Sequence, residues 1–387
     1  MRMRLRHLLR ERDTRGHVDE EVLSIYRDLG VVPKDSRTDN FNKTPEDLSR
    51  YKLVLPGDVV VNKMKAWQGS VAVSSHRGIV SGDYLVCEVD HSVVRRFLHH
   101  LLRSRPLIAE YEVRSTGIRP SQWRLYWDGL ADIAIDLPSE PEQRSIAEFL
   151  DAETTRIDGL ITKKTQMIAL ATARFESWRE RILLANEDVV WTPLHYLTDP
   201  RRPIVYGIVQ AGEEVPHGVP YIKTGDVANL RPDRLSRTSP AIDEAYRRAR
   251  VRPGDIVIAM RASIGLPVVI PPELPAANLT QGTARVAPHD EVDLVWLFHA
   301  LQCRAVQEQC RVRAVGTTFK TLNIWDLRRI RIPTPSTAAQ RAIGDQIQRG
   351  AEHLGGLVRR LALQVDLLTE HRQAMITTIV SGELKVA

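Results

Sequence analysis

The sequence predicts a mixed α+β fold: two globular α/β blocks separated by two long helices that pair as an antiparallel coiled coil, duplicated about a pseudo-twofold axis. Three observations support this prediction. They are an internal repeat at an offset of about 197 residues, two long segments with heptad spacing, and two blocks of short β-rich runs. The repeat divides the chain into residues 1–136, 137–186, 187–332 and 333–387. A period this long indicates tandem duplication of a whole unit, because solenoid repeats are far shorter.

The repeat is clearest where each helical segment begins. Residues 137–183 align with residues 334–380 without a gap, and ten of the 47 positions are identical. Upstream, the Pro-Gly-Asp sequence at 56–58 is matched by Pro-Gly-Asp at 253–255, at the same offset. The blocks therefore repeat as well, although more loosely than the helical segments.

Both helical segments carry a heptad seam, in which apolar residues alternate at spacings of four and three over about four heptads. Ser139 with Glu142 predicts a capping box at the first helix start, and a continuous helix here would be about 65 Å long. Mutual pairing is the simplest way to bury both stripes, and the alternative is a core face on an ordinary bundle helix. The predicted pairing residues are Ile157, Ile161, Ile168, Phe175, Trp178, Ile182, Leu354, Val358, Leu361, Val365, Leu368, Met375 and Ile379.

The two blocks combine short strands, such as 59–61 and 256–258, with helices predicted at Val93–Arg103 and Leu294–Cys310. In each block a basic loop follows the Pro-Gly-Asp strand, and a second basic loop follows the helix. Such side chains contact phosphates and base edges, although solvated surface loops have the same composition. Their occurrence at corresponding places in both blocks favours DNA. The candidate DNA-binding residues are Asn62, Lys63, Lys65, Trp67, Arg114, Arg119, Gln122, Arg261, Ser263, Arg311, Arg313, Thr317 and Lys320.

Composition excludes several classes of protein. No apolar run approaches the ~18–20 residues of a membrane helix, and no apolar segment follows the basic N-terminus as in a secretory signal. The three cysteines form no C-x-x-C pair, which fits a reducing cytoplasm. The net charge of +6 divides into +3 in each block, −1 in residues 137–186 and +1 in residues 333–387. A polyanionic partner is therefore permitted, and the equal shares suggest two similar binding surfaces.

Catalytic and metal signatures are missing from the sequence. It contains no P-loop, no G-x-G-x-x-G and no N-P-P-F-type methyltransferase motif. The neighbouring His99 and His100 point in different directions on a helix, so we expect no metal site. Asp58 and Asp255 are interpreted as turn residues rather than as acid–base catalysts. We therefore expect a chain that has no catalytic residues and binds no cofactor of its own.

Taken together, these features resemble the specificity subunits of type I restriction–modification systems, over essentially the whole chain. Similar segments include 21–31, 48–52, 56–64, 78–82 and 379–384. The helix starts Pro138-x-x-x-Glu142-Gln143-Arg144-x-Ile146 and Pro335-x-x-x-x-Gln340-Arg341-x-Ile343 are similar to the P-x-x-x-E-Q-x-x-I start of that family. The second copy has Ala339 where the family usually has Glu.

The resemblance implies a non-catalytic, cytoplasmic subunit of a phage-defence complex. Residues 1–136 and 187–332 would be target recognition domains, each reading half of a split, asymmetric site in double-stranded DNA. The helical spacers would bind two methylation subunits that carry S-adenosylmethionine and methylate adenine. Restriction subunits using ATP and Mg would join them. The alternatives from the residues alone are a duplicated protein-binding scaffold with no DNA role, and an enzyme without recognisable motifs.

Overall fold

The computed structural model describes residues 1–27, 29–36, 44–119, 122–185, 189–316 and 320–385. By its contacts the chain divides into two units. Unit 1 comprises Met1–Gln166 and Ala362–Ala387, and unit 2 comprises Met167–Leu361. Each long helix therefore begins in one unit and ends in the other.

Unit 1 combines ten short strands with helices in the part of the chain that is described. The strands are β1 (Arg2–Arg4), β2 (Leu9–Glu11), β3 (Leu23–Tyr26), β4 (Gly30–Pro33), β5 (Lys52–Val54), β6 (Val59–Asn62), β7 (Val71–Val73), β8 (Gly78–Val80), β9 (Tyr84–Val89) and β10 (Ala134–Asp136). The helices are α1 (Arg95–Leu102), α2 (Arg105–Arg114), α3 (Trp127–Ala131) and the first part of α4 (Glu140–Leu184).

Strand β6 lies at the centre of the unit 1 core, in an antiparallel sheet of order β2-β9-β6-β7. Successive side chains of a strand point to opposite faces. Val59 and Val61 accordingly pack with Phe97 of α1, whereas Val60 packs with Leu23 of β3 on the other face. An uninterrupted apolar run is what a strand covered on both faces requires.

Unit 2 uses the same kind of central sheet. Its strands are β11 (Val190–Pro193), β12 (Val219–Ile222), β13 (Arg237–Thr238), β14 (Ile256–Ala259), β15 (Pro267–Val269), β16 (Asn278–Leu279), β17 (Thr283–Val286) and β18 (Arg331–Thr334). Its helices are α5 (Pro240–Ala245), α6 (Leu294–Leu301), α7 (Arg304–Arg313), α8 (Ile324–Arg328) and the first part of α9 (Thr337–Val380). The order β15-β14-β17 is antiparallel. Ile256 and Ile258 face one core cluster and Val257 faces another.

A buried glutamine joins each long helix to the block before it. In unit 1, Gln143 accepts a hydrogen bond from the Val94 backbone N–H (2.9 Å) and donates one to the Pro138 carbonyl (3.0 Å). In unit 2, Gln340 accepts from the Asp293 N–H (3.2 Å) and donates to the Pro335 carbonyl (3.1 Å). Both amides are almost fully buried. The start of each helix is thus held against the start of an α-helix in the block.

The long helices run antiparallel within each unit. In unit 1, Lys164 donates to Gln364 (2.7 Å) and Arg372 forms an ion pair with Asp158 (2.9 Å). Residue numbers therefore rise along α4 where they fall along α9. In unit 2, Gly350 lies beside the Trp178 ring, and a Cβ at that position would come within 2.7 Å of it. The polar members of the two seams therefore contact the opposite helix.

All thirteen predicted pairing residues are buried or partly buried, but the ends of the stripes have a second role. Met375 and Ile379 pack into the core of unit 1. Phe175, Trp178 and Ile182 pack against the core of unit 2. Near the blocks, the stripe is therefore also the core face of an ordinary bundle helix.

The single helix predicted at Leu294–Cys310 is wrong, because the chain breaks there into α6 and α7. In unit 1 the helix predicted at Val93–Arg103 is present as α1, and a similar break separates it from α2. Side chains of the second helix replace the lost backbone bonds. The Tyr111 hydroxyl donates to the Leu102 carbonyl (2.9 Å), and the Gln307 amide donates to the Leu301 carbonyl (2.6 Å). The buried carbonyls of Leu102 and Leu301 therefore keep hydrogen-bond partners despite the break.

We expect Gln143→Met to lower the thermal unfolding midpoint of unit 1. Methionine fills the space, but it leaves the Val94 N–H and the Pro138 carbonyl without partners, at a cost of about 2 kcal/mol. Differential scanning calorimetry of the full chain checks this. The matched control is Gln166→Met, on the exposed side of the same helix. Equal midpoints for the two variants would contradict the role of the buried amide.

Candidate nucleic-acid interface

In unit 1, two loops meet at the end of the central strand. The first, 62–69, follows β6, and the second, 115–124, follows α2. Thr116 and Arg124 exchange two backbone hydrogen bonds of 3.0 and 2.9 Å, which close the second loop into a hairpin. The Leu125 N–H then donates to the Lys63 carbonyl (2.9 Å), which attaches the hairpin to the first loop.

Side chains from both loops contact each other at this junction. The rings of Trp67 and Trp123 stack edge to face with centroids 5.6 Å apart. The Asn62 amide donates to the Tyr84 hydroxyl (3.3 Å). Arg124 forms an ion pair with Asp83 (3.1 Å). The aromatic pair joins the two loops, and the two polar contacts attach each loop to the start of β9.

The remaining polar side chains of these loops differ in exposure. Lys65, Arg119 and Gln122 are exposed, whereas Lys63 is partly buried. Burial, and next the charge of Lys52, lower the pKa of Lys63. Three predicted residues are therefore free to reach a ligand, and Lys63 adds a cation at the base of the junction.

The loops of unit 2 are attached in the same way. Val315 and Thr321 exchange two backbone hydrogen bonds of 3.0 and 2.8 Å, and the Leu322 N–H donates to the Met260 carbonyl (2.9 Å). Arg261 and Ser263 lie exposed in the loop after β14. Leu322 and Met260 stand 197 residues after Leu125 and Lys63, so the two junctions are built at equivalent positions.

Three of the predicted loop residues lie on helices instead. Arg114 is the last residue of α2, and Arg311 and Arg313 lie in the last turn of α7. The helices extend this far because each begins anew after the break described above. Arg114 pairs with Glu110 and Arg311 with Glu308 (2.6 Å), so part of their charge is neutralised locally. Lys320 is exposed, and Thr317 lies outside the described residues.

The structure also places residues at these junctions that the sequence did not single out. In unit 1 they are Trp123, Arg124 and Tyr84. In unit 2, Trp325 lies in α8, shortly after the junction; it is 61% exposed and carries the Arg329 guanidinium 3.6 Å from its ring centroid. The sequence signal for this contact was a tryptophan four residues before an arginine, because such pairs form cation–π contacts.

The matching Pro-Gly-Asp aspartates are buried in ion pairs. Asp58 pairs with Arg12 and accepts from the Leu55 N–H (2.7 Å). Asp255 pairs with Arg202 (2.6 Å) and likewise accepts from a backbone N–H. Burial raises the pKa of Asp58 despite the nearby guanidinium. These contacts fix the turn before the central strand, as the sequence interpretation proposed.

A metal site and a membrane-spanning helix each place requirements on the described residues. In the described ranges, no cluster of three or more His, Cys, Asp or Glu side chains is arranged to hold a metal ion. His100 contacts Asp151 (2.7 Å), and burial lowers the pKa of His99 to about 3. None of the helices in the described part of the chain combines the length and hydropathy that crossing a bilayer requires.

We expect Gly117→Ala to open the 115–124 hairpin. A Cβ at Gly117 would come within 2.7 Å of the Gln122 carbonyl oxygen, so the backbone must move. Limited trypsin digestion should then cut after Arg124 faster than in the parent chain, whereas the bond after Arg119 resists trypsin because Pro120 follows it. Gly159→Ala is the control, because its helical site is open and alanine favours a helix by about 1 kcal/mol. Unchanged cleavage in Gly117→Ala would show that the loop tolerates the side chain.

Comparison with known proteins agrees with this architecture. Residues 209–350 match the family model for the type I restriction modification DNA specificity domain. The type I restriction enzyme EcoBI specificity subunit of Escherichia coli is 24% identical over 317 residues, or 75% of this chain and 66% of that protein. The chain thus spans just under two thirds of the length of that curated relative.

Two solved structures have the same fold over nearly their whole length. One is from a study of complex assembly and conformational transition of the type I R-M system, with a TM-score of 0.76 at 18% identity, covering 99% of this chain and 98% of that one. The other is the HsdS subunit from Thermoanaerobacter tengcongensis, with a TM-score of 0.52 at 18% identity, covering 99% and 97%. The chain therefore shares its fold with these two structures, and residues 209–350 are similar to the type I restriction modification DNA specificity domain.

Proposed function

We propose that this chain reads a bipartite, asymmetric sequence in double-stranded DNA and directs adenine methylation and restriction by partner subunits. The α/β block of residues 1–136 reads one half of the site. The block of residues 187–332 reads the other half. The two blocks arise from duplication of one block-and-helix unit, with the helical segments 137–186 and 333–387 as spacers.

One observation carries the proposal: each block attaches a closed hairpin to the end of its central strand by an equivalent hydrogen bond. The donors are the Leu125 and Leu322 N–H groups, and the acceptors are the Lys63 and Met260 carbonyls. A loop held by a sheet keeps its side chains in a fixed arrangement, as base recognition requires. The residues that form the loops differ between the blocks, so two different sequences are read.

The side chains exposed on these loops have the chemistry of DNA recognition. Arginine is suited to the guanine O6 and N7 acceptors, and glutamine to adenine N6 and N7. Arg119 and Gln122 meet that description in unit 1, and Arg261 in unit 2. Lys65, Ser263 and Lys320 supply contacts of the kind made to phosphates.

Catalysis belongs to other subunits in this proposal. Two methylation subunits bind S-adenosylmethionine and attach to the helical spacers, and restriction subunits use ATP and Mg. The specificity subunit itself supplies no catalytic residue or cofactor site. Because its ligand is DNA, we expect it in the cytoplasm. A protein-binding scaffold without a DNA role is not favoured by the match to a DNA specificity domain.

Exchange of residues 1–136 for the corresponding block of a related specificity subunit should change one half of the methylated sequence only. The exchange keeps the β1–β10 pairing intact, since both strands lie within the block. Sequencing of methylated DNA from cells that carry the complete system measures the result. The reciprocal exchange of residues 187–332 is the control and should change the other half. A simultaneous change of both halves in either chimera would refute separate reading.

Insertion of one heptad into each spacer should lengthen the gap between the two half-sequences by about three base pairs. Seven residues add about 10.5 Å to a helix and keep the seam in phase, while B-DNA rises about 3.4 Å per base pair. We would insert after Thr165 and after Ala362, at equivalent positions. Methylation sequencing then reports the gap.

Activity of this double insertion should fall, because three base pairs turn one half-site by about 100° around the duplex at roughly 10.5 base pairs per turn. The gap at the sites that remain methylated is therefore the informative quantity. A single insertion is the control, since it puts the paired seams out of register. Methylation at the original gap by the double insertion would show that the helices do not set the spacing.

A further inference from the structure

Unit 2 contains an open cavity of about 600 Å³ lined by seven arginines. They come from three separate segments of the chain: 201–202, 247–252 and the β17 residue Arg285. The cavity lies at the start of β14, beside Val251 and Arg252. The loop with Arg261 follows the other end of the same strand, so the cavity is not part of the interface described above.

The floor of the cavity is a buried cation. Arg285 is only 4% exposed. Its two terminal nitrogens donate to the backbone carbonyls of Arg250 (2.7 Å) and Pro203 (3.1 Å). Its Nε has no hydrogen-bond partner in the described ranges. Burial first, and then the charge of Arg202, lower the pKa of Arg285 to about 10, so it is still protonated at neutral pH.

The rim of the cavity carries further cations without carboxylate partners. Arg201, Arg248 and Arg252 are exposed, and none forms an ion pair within the described part of the chain. Arg250 and Arg247, by contrast, both pair with Glu244. The uncompensated charge is therefore concentrated where a ligand would enter.

The equivalent place in unit 1 shows that the fold does not need these arginines. Opposite the middle residue of the central strand, unit 1 has the buried Val86 and unit 2 has Arg285. In unit 2 the Arg252 N–H donates to the buried Asp255, and in unit 1 the Leu55 N–H donates to the equivalent Asp58. The backbone N–H donor and an arginine paired with that aspartate are common to both units. Burying a charge in place of a valine costs free energy, which indicates a role in binding.

We propose that this cavity binds phosphoryl groups, and that its ligand is the sugar-phosphate backbone of the DNA bound by unit 2. This inference rests on the proposed function. Arginine presents a planar fork of donors that matches phosphate oxygens. Duplex DNA carries one charge per about 1.7 Å of its axis, which suits a rim with several unpaired guanidinium groups better than the scattered carboxylates of a protein surface.

The site adds affinity to one half of the recognition sequence without reading it. Contacts to phosphates fix position and register, whereas contacts to base edges determine sequence. Unit 2 therefore has an anchor that the described residues of unit 1 do not form. Loss of the anchor should weaken binding to every sequence by the same factor.

The test compares the full chain with the double variant Arg248→Gln, Arg252→Gln, which changes two exposed rim residues. The control is Arg50→Gln, Arg304→Gln, which removes the same charge from exposed positions outside the cavity. Fluorescence anisotropy measures binding to duplexes with and without the recognised sequence, over a range of salt concentrations. Thermal shift with inorganic tripolyphosphate, and separately with polyglutamate, tests the cavity without DNA.

We expect the rim variant to weaken both duplexes equally and to reduce the slope of log K against log salt by about two, one unit per phosphate contact. It should also lose the shift produced by tripolyphosphate, while the control keeps both. Loss of the tripolyphosphate shift alone would support a phosphoryl site occupied by a free polyphosphate and overturn the DNA backbone as its ligand.

If the rim variant kept the duplex affinity, the salt slope and the tripolyphosphate shift of the control, the proposed phosphoryl site would be wrong. If polyglutamate produced a thermal shift that the rim variant lost, and tripolyphosphate produced none, the cavity would bind an acidic protein partner and not phosphoryl groups. If the parent chain bound no duplex yet kept a rim-dependent tripolyphosphate shift, the proposed DNA function would fail while the phosphoryl site stood.

Discussion

The architecture of each unit depends on one buried amide at the start of a long helix. Gln143 and Gln340 each satisfy a backbone donor and a backbone acceptor that would otherwise be buried without partners. An amide can do both at once, whereas a carboxylate or an aliphatic side chain cannot. The start of each long helix is thereby attached to its block by contacts that do not involve the opposite helix. The apolar stripe then meets both the core of the block and the opposite helix.

The seam between the helices combines packing with polar specificity. Lys164 and Arg372 stand at positions where the heptad pattern calls for apolar residues, and each contacts a polar residue on the other helix. Polar residues at such positions specify register at some expense of stability. Beside them, Gly350 lets the Trp178 ring approach the opposite backbone closely. Both devices favour one alignment over alignments displaced by a heptad.

Much of the fold could be predicted from the sequence, because periodicity and repetition are local signals. The long helices follow from heptad spacing, and the central strands and the Pro-Gly-Asp turns follow from their local composition and its repetition. The break between α6 and α7 could not, since it depends on the Gln307 amide reaching back to the Leu301 carbonyl. Arg311 looked like a loop residue for the same reason.

The candidate site was predicted only in outline. Basic composition located the loops, but the partners that hold them together come from distant segments, as with Trp67 and Trp123. The arginine cavity is the extreme case. Its residues lie in three segments separated by tens of positions, and only the sheet register brings Arg285 beside Arg202. Composition along the chain carries no signal for such a cluster.

The division of the helices between the units has a consequence for the order of folding during synthesis. Unit 2 is one continuous segment, Met167–Leu361, and all its core residues are made in a single stretch. Unit 1 needs Ile376 and Ile379 beside Leu5 and Phe97 in its core, so its first 166 residues must wait until the whole of unit 2 has been translated. Domains fold as units as they leave the ribosome, and long-range contacts form slowly. The N-terminal block is therefore synthesised first but completes its core last. Until then its apolar core surface stays exposed, and we expect chaperones to bind there.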